Sequence, residues 1–449
     1  MIELKTVFPI PSFEQWEERL KKDLTEEDFG KLKTIDEVEE ISLNSYAHGD
    51  NSKKNELQPG QLPFTRGLKT ESNNWSNGYY LKVENELEDN QKMLQILMKG
   101  CDLIVLDLSN KDEINFNILL NNIGLEFIST QIILENTMQW NGIVNYFQGE
   151  IPLNVLINVD PISMDTQLFE TITAHLLKKQ SAVFSINSFR LLGCGANAFQ
   201  EIGFAAATGH ELIYRLMKSG LNIDQAAACI HFSMGIGSNY FVEIAKFRSI
   251  KTLWSQIIGS YNPVHNCSYN CRITAHTIAL NKSIEDPYTN LLRQTTEGLS
   301  AICGGIEGLV IYPYDLISAN GASALAQRMA LNISLVLKEE SYLDAVIDPL
   351  GGSYTIEELT IELNNKGWEL FKKIESFGGM ATITSESYIQ EIVNETAKKR
   401  ISLYEKNEKM LIGINKYPNP VKESNSYTEN KSYLGIPELI IERELIKRG

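Results

Sequence analysis

The sequence predicts an α/β protein built on an eight-fold parallel β/α barrel of the TIM type, with an N-terminal arm and a C-terminal helical tail. The first observation is an alternation, from about residue 81 onwards, of short apolar runs with longer amphipathic stretches. Strands that alternate with helices in this way form a parallel sheet. The second observation is the number of repeats, because eight strand–helix units exceed the roughly five to seven strands of an ordinary open sheet.

Eight runs are predicted to form the strands of this barrel, since each is short and largely apolar. In chain order they are Asp102–Leu108, Leu125–Ile132, Pro152–Val159, Ser181–Ile186, Cys229–Ser233, Cys271–His276, Gly308–Tyr312 and Leu343–Ile347. Within these runs, bulky residues are candidates to point inward and fill the barrel axis in layers. These candidates are Val105, Val155, Phe184 and Phe232.

Two helices next to the last predicted strands have clear start and stop signals. Asp286 is a suitable N-cap, Pro287 suits the first helical position, and the pair Gly304–Gly305 predicts the end of that helix. Further on, the turn sequence DPLGGSY leads into a helix expected near Ser353–Phe377. A second, strongly charged helix is expected near Glu386–Tyr404.

Both ends of the chain differ from the repeating centre, which indicates three regions. Residues 1–60 are predicted to be an N-terminal arm, residues 61–380 the barrel, and residues 381–449 a C-terminal helix with a polar tail. The arm contains one amphipathic helix that follows a capping box from Ser12 to Gln15. Since the arm carries large aromatic residues but little core of its own, we expect it to pack on the barrel or to wrap a partner chain.

Composition narrows the classes of function. The chain carries 41 basic and 57 acidic side chains, a net charge of −16, which argues against nonspecific binding to nucleic acid or to anionic membranes. The N-terminus lacks the basic start and apolar block of a signal peptide, and no run approaches the ~18 apolar residues of a spanning helix. Six cysteines in 449 residues do not make a disulfide framework, so a cytoplasmic location with reduced thiols is predicted.

Two local patterns could indicate ligand sites, but each has a simpler explanation. The run Gly193–Ala198 has the Gly-x-Gly-x-x-Ala spacing of a dinucleotide site, yet no acidic residue ends the next strand, so a tight turn before a helix is favoured. The cluster of His265, Cys267, Cys271 and His276 would bind a metal only if its members converged. Because these residues straddle the start of a strand, where neighbouring side chains point apart, no metal site is predicted.

Several longer motifs resemble the barrel domain of methylmalonyl-CoA mutases, and they occur over about residues 8–418 in the order found in that family. They are FPIPSFEQW (Phe8–Trp16), LPFTRG (Leu62–Gly67), MGIGSNYFVEIAKFR (Met234–Arg248), EDPYTNLLRQTTEGLSAICGG (Glu285–Gly305), IDPLGGSYTIEELT (Ile347–Thr360), GGMA (Gly378–Ala381) and LIGINKY (Leu411–Tyr417). The resemblance implies a barrel that threads coenzyme A along its axis and a radical interconversion of methylmalonyl-CoA and succinyl-CoA with adenosylcobalamin. It also implies a separate flavodoxin-like domain that binds the corrinoid through an Asp-x-His-x-x-Gly motif.

This sequence departs from the family pattern where the family binds its cofactor. None of its histidines has an aspartate two residues before it. The six are His48, His175, His210, His231, His265 and His276. The sequence also ends where the cobalamin-binding domain of the family would begin. We therefore expect that this chain binds no cofactor and that adenosylcobalamin enters the complex through a partner chain.

The catalytic positions that the resemblance implies are also changed. Asn73 stands where active chains have the tyrosine that packs by the reacting acyl group, and Leu192 stands where they have a glutamine that binds this group. Cys229 falls at the arginine that pairs with the substrate carboxylate, and Thr274 at the histidine that polarises the thioester carbonyl. A dicarboxylate thioester needs a cation and a hydrogen-bond donor, and these residues supply no charge and one weak donor. No catalytic residue is predicted.

Arg66 is the one family residue that could still bind substrate, because the corresponding arginine of active relatives lies near coenzyme A. We assign it as a remnant of substrate binding. The alternative is a structural ion pair at the mouth of the barrel, which the loss of its partner residues favours.

Together, the resemblance and the altered positions predict a small structural subunit of a heterodimeric adenosylcobalamin-dependent methylmalonyl-CoA mutase, without a working active site. Its expected partner is the large catalytic subunit and its expected setting is cytoplasmic propionate metabolism, with neither nucleic acid nor membrane as a partner. Two alternatives remain open. The chain could be the catalytic barrel of a split acyl-CoA mutase whose cobalamin domain is on another chain, or a regulator that binds an acyl-CoA without reacting it.

Overall fold

Eight parallel strands form the centre of the protein, in a computed structural model that describes residues 11–44, 57–109, 111–162, 164–178, 184–420, 426–429 and 431–448. The strands are β1 (Ser76–Lys82), β2 (Leu103–Asp107), β3 (Ser129–Ile133), β4 (Val155–Asn158), β5 (Phe184–Asn187), β6 (Ile230–Ile236), β7 (Ile273–Thr277) and β8 (Gly308–Val310). Neighbouring strands pair in the order β4-β3-β2-β1-β8-β7-β6-β5, and one bridge from Val159 to Phe184 joins β4 to β5. The sheet is nearly closed into a barrel, so the predicted fold class is confirmed.

Helices connect the strands and cover the outside of the barrel. They are α1 (Phe13–Asp23), α2 (Glu26–Gly30), α3 (Glu86–Leu97), α4 (Phe116–Leu119), α5 (Thr137–Tyr146), α6 (Thr166–Leu176), α7 (Phe189–Gly193), α8 (Ala198–Lys218), α9 (Ile223–Ala228), α10 (Tyr240–Gly259), α11 (Thr289–Cys303), α12 (Ala324–Leu335), α13 (Tyr354–Ser376), α14 (Ile383–Glu405) and α15 (Ile441–Arg448). Side-chain N-caps begin many of them, as at Asn136 and Asn197. Among the residues described, no helix is long and apolar enough to cross a membrane.

The prediction of eight strands is right in number, but it misses one strand and includes a false one. The missed strand is β1, whose Ser76, Asn77 and Gly78 are poor strand formers and hide it from a search for apolar runs. The run Leu343–Ile347, predicted as the last strand, lies in turns, and its Val346 is 54% exposed. The other seven predicted strands overlap β2 to β8.

The predicted axis-filling residues need correction, because three of the four face the helices. Val105 belongs to the apolar cluster inside the barrel. Phe184 packs on a ring of α6 and Phe232 on a ring of α10, with centroids 5.9 and 5.0 Å apart, and Val155 lies in the same core between sheet and helices. Side chains alternate along a strand, so in β5 and β6 the polar neighbours of these phenylalanines face the axis instead.

Helix boundaries near the end of the barrel agree closely with the sequence. The helix α13 lies one residue inside each predicted end. The helix α11 ends before Gly304, as predicted, but it begins at Thr289 rather than at Asp286. Asp286 Oδ2 accepts a hydrogen bond from the Thr289 hydroxyl (2.6 Å), so this carboxylate holds a turn that precedes the helix.

The N-terminal arm is seen in part, since residues 1–10 and 45–56 lie outside the described residues. Its predicted capping box is confirmed at the start of α1, a helix without any buried residue. A two-stranded hairpin at residues 33–44 docks on the chain itself, where the Asn197 side chain donates to Val38 O (2.9 Å). Part of the arm therefore packs on its own chain, and its predicted contact with a partner stays a prediction.

The C-terminal segment, residues 426–448, is here called the tail; the structure describes all of it except residue 430. A short hairpin, Ser432–Tyr433 with Ile436–Pro437, precedes α15. The Leu439 amide donates to Gly193 O (2.9 Å), and the Ile441 amide donates to Leu280 O (3.0 Å) in the loop after β7. The tail therefore lies across the C-terminal end of the barrel. The predicted division into three regions stays a prediction.

Candidate functional site

A cluster of buried polar side chains lies on the barrel axis, where the sequence predicts bulky apolar residues. The Thr274 hydroxyl of β7 accepts a hydrogen bond from Gln131 Nε2 of β3 (2.7 Å) and lies 2.9 Å from His231 Nε2 of β6. Burial, with a smaller effect of Arg272, keeps the pKa of His231 well below its usual range. The imidazole is therefore neutral at pH 7, and this cluster is held by uncharged groups.

A polar row continues along the axis in the next strands. The Ser185 and Ser233 hydroxyls lie 2.8 Å apart, and Asn187 Nδ2 donates to Asn158 Oδ1 (3.2 Å). Gln131 Oε1 and Asn187 Oδ1 are buried without a hydrogen-bond partner among the described residues. These oxygen atoms could accept hydrogen bonds from a polar group lying in the axis.

Sequence reasoning missed this row, although the sequence of β6 contains its signal. In IHFSMGI, the polar His231 and Ser233 alternate with the apolar Ile230, Phe232 and Met234. A period of two places the two polar side chains on one face and the apolar ones on the other. The whole strand is buried, so both faces are interior and one of them must be the axis.

Aromatic rings occupy the axis beyond the polar row. His276 stacks on Phe189 with centroids 4.7 Å apart, and Tyr312 lies 6.0 Å from the same imidazole. Tyr80 lies 5.3 Å from Tyr312, and its hydroxyl donates to Asp107. Burial lowers the pKa of His276 to about 3, so this histidine is also neutral at pH 7. Four rings thus fill the C-terminal part of the axis.

An apolar cluster covers the C-terminal end of the barrel, here called the mouth. Leu192, which is 2% exposed, contributes to this cluster from the barrel side. The other buried members are Ile278, Leu280, Ile401, Tyr404, Leu411, Leu439 and Ile441. Enzymes with β/α barrels place their catalytic groups at the C-terminal ends of the strands. In this chain the same place is covered by α14 and the tail.

Two of the altered family positions lie at the opposite end of the barrel. The Asn73 amide nitrogen donates to Asp344 O (2.7 Å), and its side chain donates to Ile302 O (3.0 Å), just before β8. The Cys229 thiol precedes β6 and donates to Gln225 O (3.2 Å). Burial raises the pKa of this thiol to about 12. Both side chains satisfy backbone carbonyl groups and hold turns in place.

The structure therefore does not bring the four altered positions together. Thr274 lies on the axis, Leu192 lies at the mouth, and Asn73 and Cys229 lie near the N-terminal ends of strands. Cys229 comes four residues before Ser233, which pairs with Thr274, and this separation is roughly 13 Å along a strand. The four residues do not form a site, and their assignment as changed catalytic positions stays a prediction.

Arg66 takes part in a buried network of ion pairs. Its Nε lies 2.6 Å from Asp348 Oδ2, and the other oxygen of this carboxylate pairs with Arg248. Arg248 Nη2 lies 2.6 Å from Glu357 Oε1. A side chain at Gly351 would collide with both Arg66 and Asp348, so only glycine fits this turn. Three of the motifs that carry the resemblance, LPFTRG, MGIGSNYFVEIAKFR and IDPLGGSYTIEELT, meet in this network.

The motif Glu285–Gly305 and the residue after it contact the same region through hydrogen bonds from two lysines. Lys251 Nζ donates to Gly304 O (2.9 Å) and Gly305 O (2.5 Å), and Lys69 donates to Ile306 O. Burial lowers the pKa of Lys69 to about 8. These contacts tie the segment after Arg66 to the residues that lead into β8. The resemblance motifs therefore position one another at the N-terminal end of β8, and a role of Arg66 in substrate binding stays a prediction.

The two other sequence patterns do not gather ligand groups. His265 and Cys267 are exposed, whereas Cys271 and His276 are buried roughly 16 Å apart along β7. In the part of the chain that the structure describes, no group of three or more His, Cys, Asp or Glu residues could hold a metal. Gly195 has φ +104°, and an added Cβ would lie 2.9 Å from Leu439 of the tail. This glycine lets the tail approach the mouth.

Comparisons with known proteins agree with these motifs. The family model described as methylmalonyl-CoA mutase matches residues 157–433. The methylmalonyl-CoA mutase small subunit of Porphyromonas gingivalis is 31% identical over 442 residues, which are 92% of this chain and 70% of that protein. The methylmalonyl-CoA mutase of Rhizobium meliloti is 33% identical over 55% of this chain, and the mitochondrial enzyme of Homo sapiens is 32% identical over 56%. The matches cover 34% and 33% of those two proteins. The chain belongs to the methylmalonyl-CoA mutase family.

Proposed function

We propose that this chain is the non-catalytic small subunit of a heterodimeric, adenosylcobalamin-dependent methylmalonyl-CoA mutase. A separate large subunit would carry out the isomerisation of methylmalonyl-CoA and succinyl-CoA. The likeness to a protein named as the small subunit of such an enzyme, over 92% of this chain, supports the type of subunit. The proposal that the chain has a structural role is argued from the packing of its own barrel.

The covered mouth is the observation that carries the proposal. A catalytic barrel needs its C-terminal end open, so that substrate and reacting groups can meet there. Here Leu192 is buried under α14 and the tail, and four rings follow below it on the axis. These side chains fill the space in which a substrate would react.

The chemistry of the axis supports the same conclusion. An acyl-CoA with a free carboxylate would need a cation for that carboxylate and a donor for its carbonyl oxygen. His231 and His276 are both kept neutral by burial, and the Thr274 hydroxyl is already bound to Gln131 and close to His231. None of these three groups carries a charge that would bind the carboxylate of such a substrate.

Adenosylcobalamin does not fit the mouth of this barrel. Barrel enzymes bring their reacting groups together at the C-terminal end of the axis, and here Leu439 and Ile441 of the tail pack against Leu192 and Leu280 in that place. The tail backbone is also hydrogen-bonded to the loops around the mouth. In the proposed complex the cofactor therefore belongs to the large subunit.

The test is to produce this chain alone and together with a large subunit, and to measure mutase turnover with adenosylcobalamin. We expect no turnover by the chain alone and a stable complex of one small and one large subunit by size-exclusion chromatography with light scattering. Turnover by the chain alone would contradict the proposal, and so would the failure of the two chains to associate.

A second function, a regulator that binds an acyl-CoA without reacting it, is favoured by the polar row on the axis. Gln131 Oε1 and Asn187 Oδ1 are buried acceptors that a pantetheine amide could reach if the axis opened. Calorimetric titration of the isolated chain with an acyl-CoA separates the two functions. We expect no heat of binding. Saturable binding of the acyl-CoA, by a chain that does not associate with the large subunit, would favour the regulator.

A further inference from the structure

The tail places one carboxylate in a fully buried position at the mouth. Glu442, at the start of α15, is 0% exposed. Its Oε1 accepts hydrogen bonds from the Ser283 hydroxyl (2.5 Å) and the Glu285 amide (3.1 Å). Its Oε2 accepts from the Ile284 amide (2.7 Å) and the Tyr427 hydroxyl (2.8 Å). Each oxygen atom therefore receives two hydrogen bonds.

The arrangement of the donors selects a carboxylate. The Ser283 hydroxyl oxygen already accepts from the Asp286 amide (2.9 Å), so its own hydrogen is directed to Glu442. Two backbone amides and two hydroxyls can only donate in this geometry, and a planar group with two acceptor oxygens matches them. Lys282, which precedes this turn, is bound to Glu297 (2.7 Å) instead. An amide would bring an N–H group against one pair of donors.

The position of this turn is that of a ligand-binding loop. Residues 283–285 follow β7 and precede α11, so they belong to a loop at the C-terminal face of the barrel. Such loops carry the binding and catalytic groups of barrel enzymes. The carboxylate that occupies the loop comes from the far end of the chain, and Glu442 lies beyond the residues 157–433 that match the family model.

We propose that the turn Ser283–Glu285, together with Tyr427, is a binding cradle for a small aliphatic carboxylate, and that Glu442 fills it in cis. Residues 439–448 are then an intramolecular plug, whose anchor is Glu442 and whose apolar part, Leu439 and Ile441, packs in the cluster around Leu192 at the mouth. An emptied cradle would accept an external monocarboxylate of the size of acetate. This inference concerns the isolated chain and is independent of the proposed partner and of the activity of any complex.

The substitution Glu442→Ala removes a fragment that corresponds to acetate and keeps the Cβ of the side chain. We expect the Ile284 and Glu285 amides to exchange with deuterium at least about tenfold faster in this variant, since each loses a hydrogen bond to a charged group. Millimolar acetate should restore the slow exchange in a saturable way. Acetamide, which is neutral and of the same shape, should not. Glu444→Ala is the matched control, because Glu444 lies on the same helix and pairs with Lys447 at the surface.

Several outcomes would overturn the proposal. In a folded Glu442→Ala variant, exchange as slow as in the unchanged protein would mean that the carboxylate does not hold the tail. Restoration by acetamide as well as by acetate would remove the selectivity for carboxylates, and no effect of acetate would remove the binding site. If Glu442→Ala does not fold, Glu442→Gln takes its place. That variant keeps one acceptor oxygen, so exchange equal to that of the unchanged protein at both amides would overturn the proposal.

Discussion

Buried charges and apolar residues contribute in different proportions at the two ends of the barrel, because the mouth combines an apolar cover with the buried pairs Lys246–Glu201 and Lys282–Glu297. Near the N-terminal end of β8, charged residues of the resemblance motifs form a buried network around Asp348. At the mouth, apolar residues of the tail and of α14 pack on Leu192. Residues of the resemblance motifs contribute at both ends, with Lys246, Glu297 and Leu411 near the mouth, and the end at which barrel enzymes react is closed.

This difference explains how a chain can resemble an enzyme family over most of its length and have no predicted catalytic residue. A buried ion-pair network is costly to change one residue at a time, because each substitution leaves a charge without a partner. An apolar cover at the mouth needs only bulk and shape. Resemblance in such motifs therefore indicates the fold, and chemistry has to be judged from the mouth and the axis.

The largest expected effect comes from removing the charge at the centre of the network. Asp348→Asn leaves Arg66 and Arg248 without their shared carboxylate, and we expect the free energy of unfolding to fall by about 3–5 kcal/mol. Asn accepts the positive φ of this position (45°), so the backbone is not the cause. Urea unfolding measures the change, with the exposed Asp112→Asn as control. A loss below about 1 kcal/mol would mean that the network contributes little to the N-terminal end.

At the mouth, introducing the glutamine that the resemblance implies for position 192 should destabilise the chain. Leu192→Gln replaces a buried apolar member of this cluster by an amide, and we expect a loss of about 1–3 kcal/mol because the amide group leaves water. The exposed Leu325→Gln is the control, measured by the same urea unfolding. A variant as stable as the unchanged protein would show that the mouth is more open to water than the apolar cluster indicates.

The neutral histidines of the axis should make stability depend on pH. The pKa of His276 is about 3 in the folded protein and near 6.5 in the unfolded chain, so between these values only the unfolded chain binds the proton. The contribution is present above pH 6.5 and is lost as the pH falls towards 3.

In His276→Gln we therefore expect the loss of stability between pH 6.5 and pH 5 to be smaller by about 2 kcal/mol than in the unchanged protein. Urea unfolding at both pH values measures this difference, and the exposed His265→Gln is the control. An unchanged dependence on pH would mean that the ring of His276 is accessible to water or to protons in the folded state.

The smallest effect is expected at the edge of the network. Arg66→Lys keeps the charge but loses the fixed geometry of the guanidinium, and we expect a cost of about 1 kcal/mol in the urea experiment. Arg19→Lys on the exposed α1 is the control. Calorimetric titration of both variants with an acyl-CoA then tests the other assignment of Arg66. Weaker binding in Arg66→Lys alone would favour the substrate-binding remnant over the structural ion pair.

Much of this fold could be predicted from the sequence, because parallel strands and their helices leave strong periodic signals. Seven of the eight strands, the bounds of α13 and the capping box of α1 all follow from local patterns. The strand β1 was missed because Asn77 and Gly78 suit it only through pairing with its neighbours. Whether such a segment forms a strand depends on its tertiary contacts, and these cannot be read from local propensity.

The candidate site was harder to predict, since it depends on which face of a strand points inward. Bulky residues such as Phe232 suggest a filled axis, but they pack against helices, and His231 beside it faces the axis. The closure of the mouth was not predictable for another reason. It depends on a contact between Leu192 and the tail, more than 200 residues apart, and neither segment contains a local signal for the other.

The most direct test of the central claim is to reconstitute the proposed complex of the two subunits with one variant of this chain and to measure its turnover. The variant is Thr274→Ala, which removes the hydroxyl that Gln131 and His231 contact on the axis, and formation of the complex is measured in the same samples by light scattering. We expect kcat and KM per complex to equal those of the unchanged complex. A fall of about tenfold or more in kcat, with the complex fully formed, would mean that this barrel takes part in the reaction.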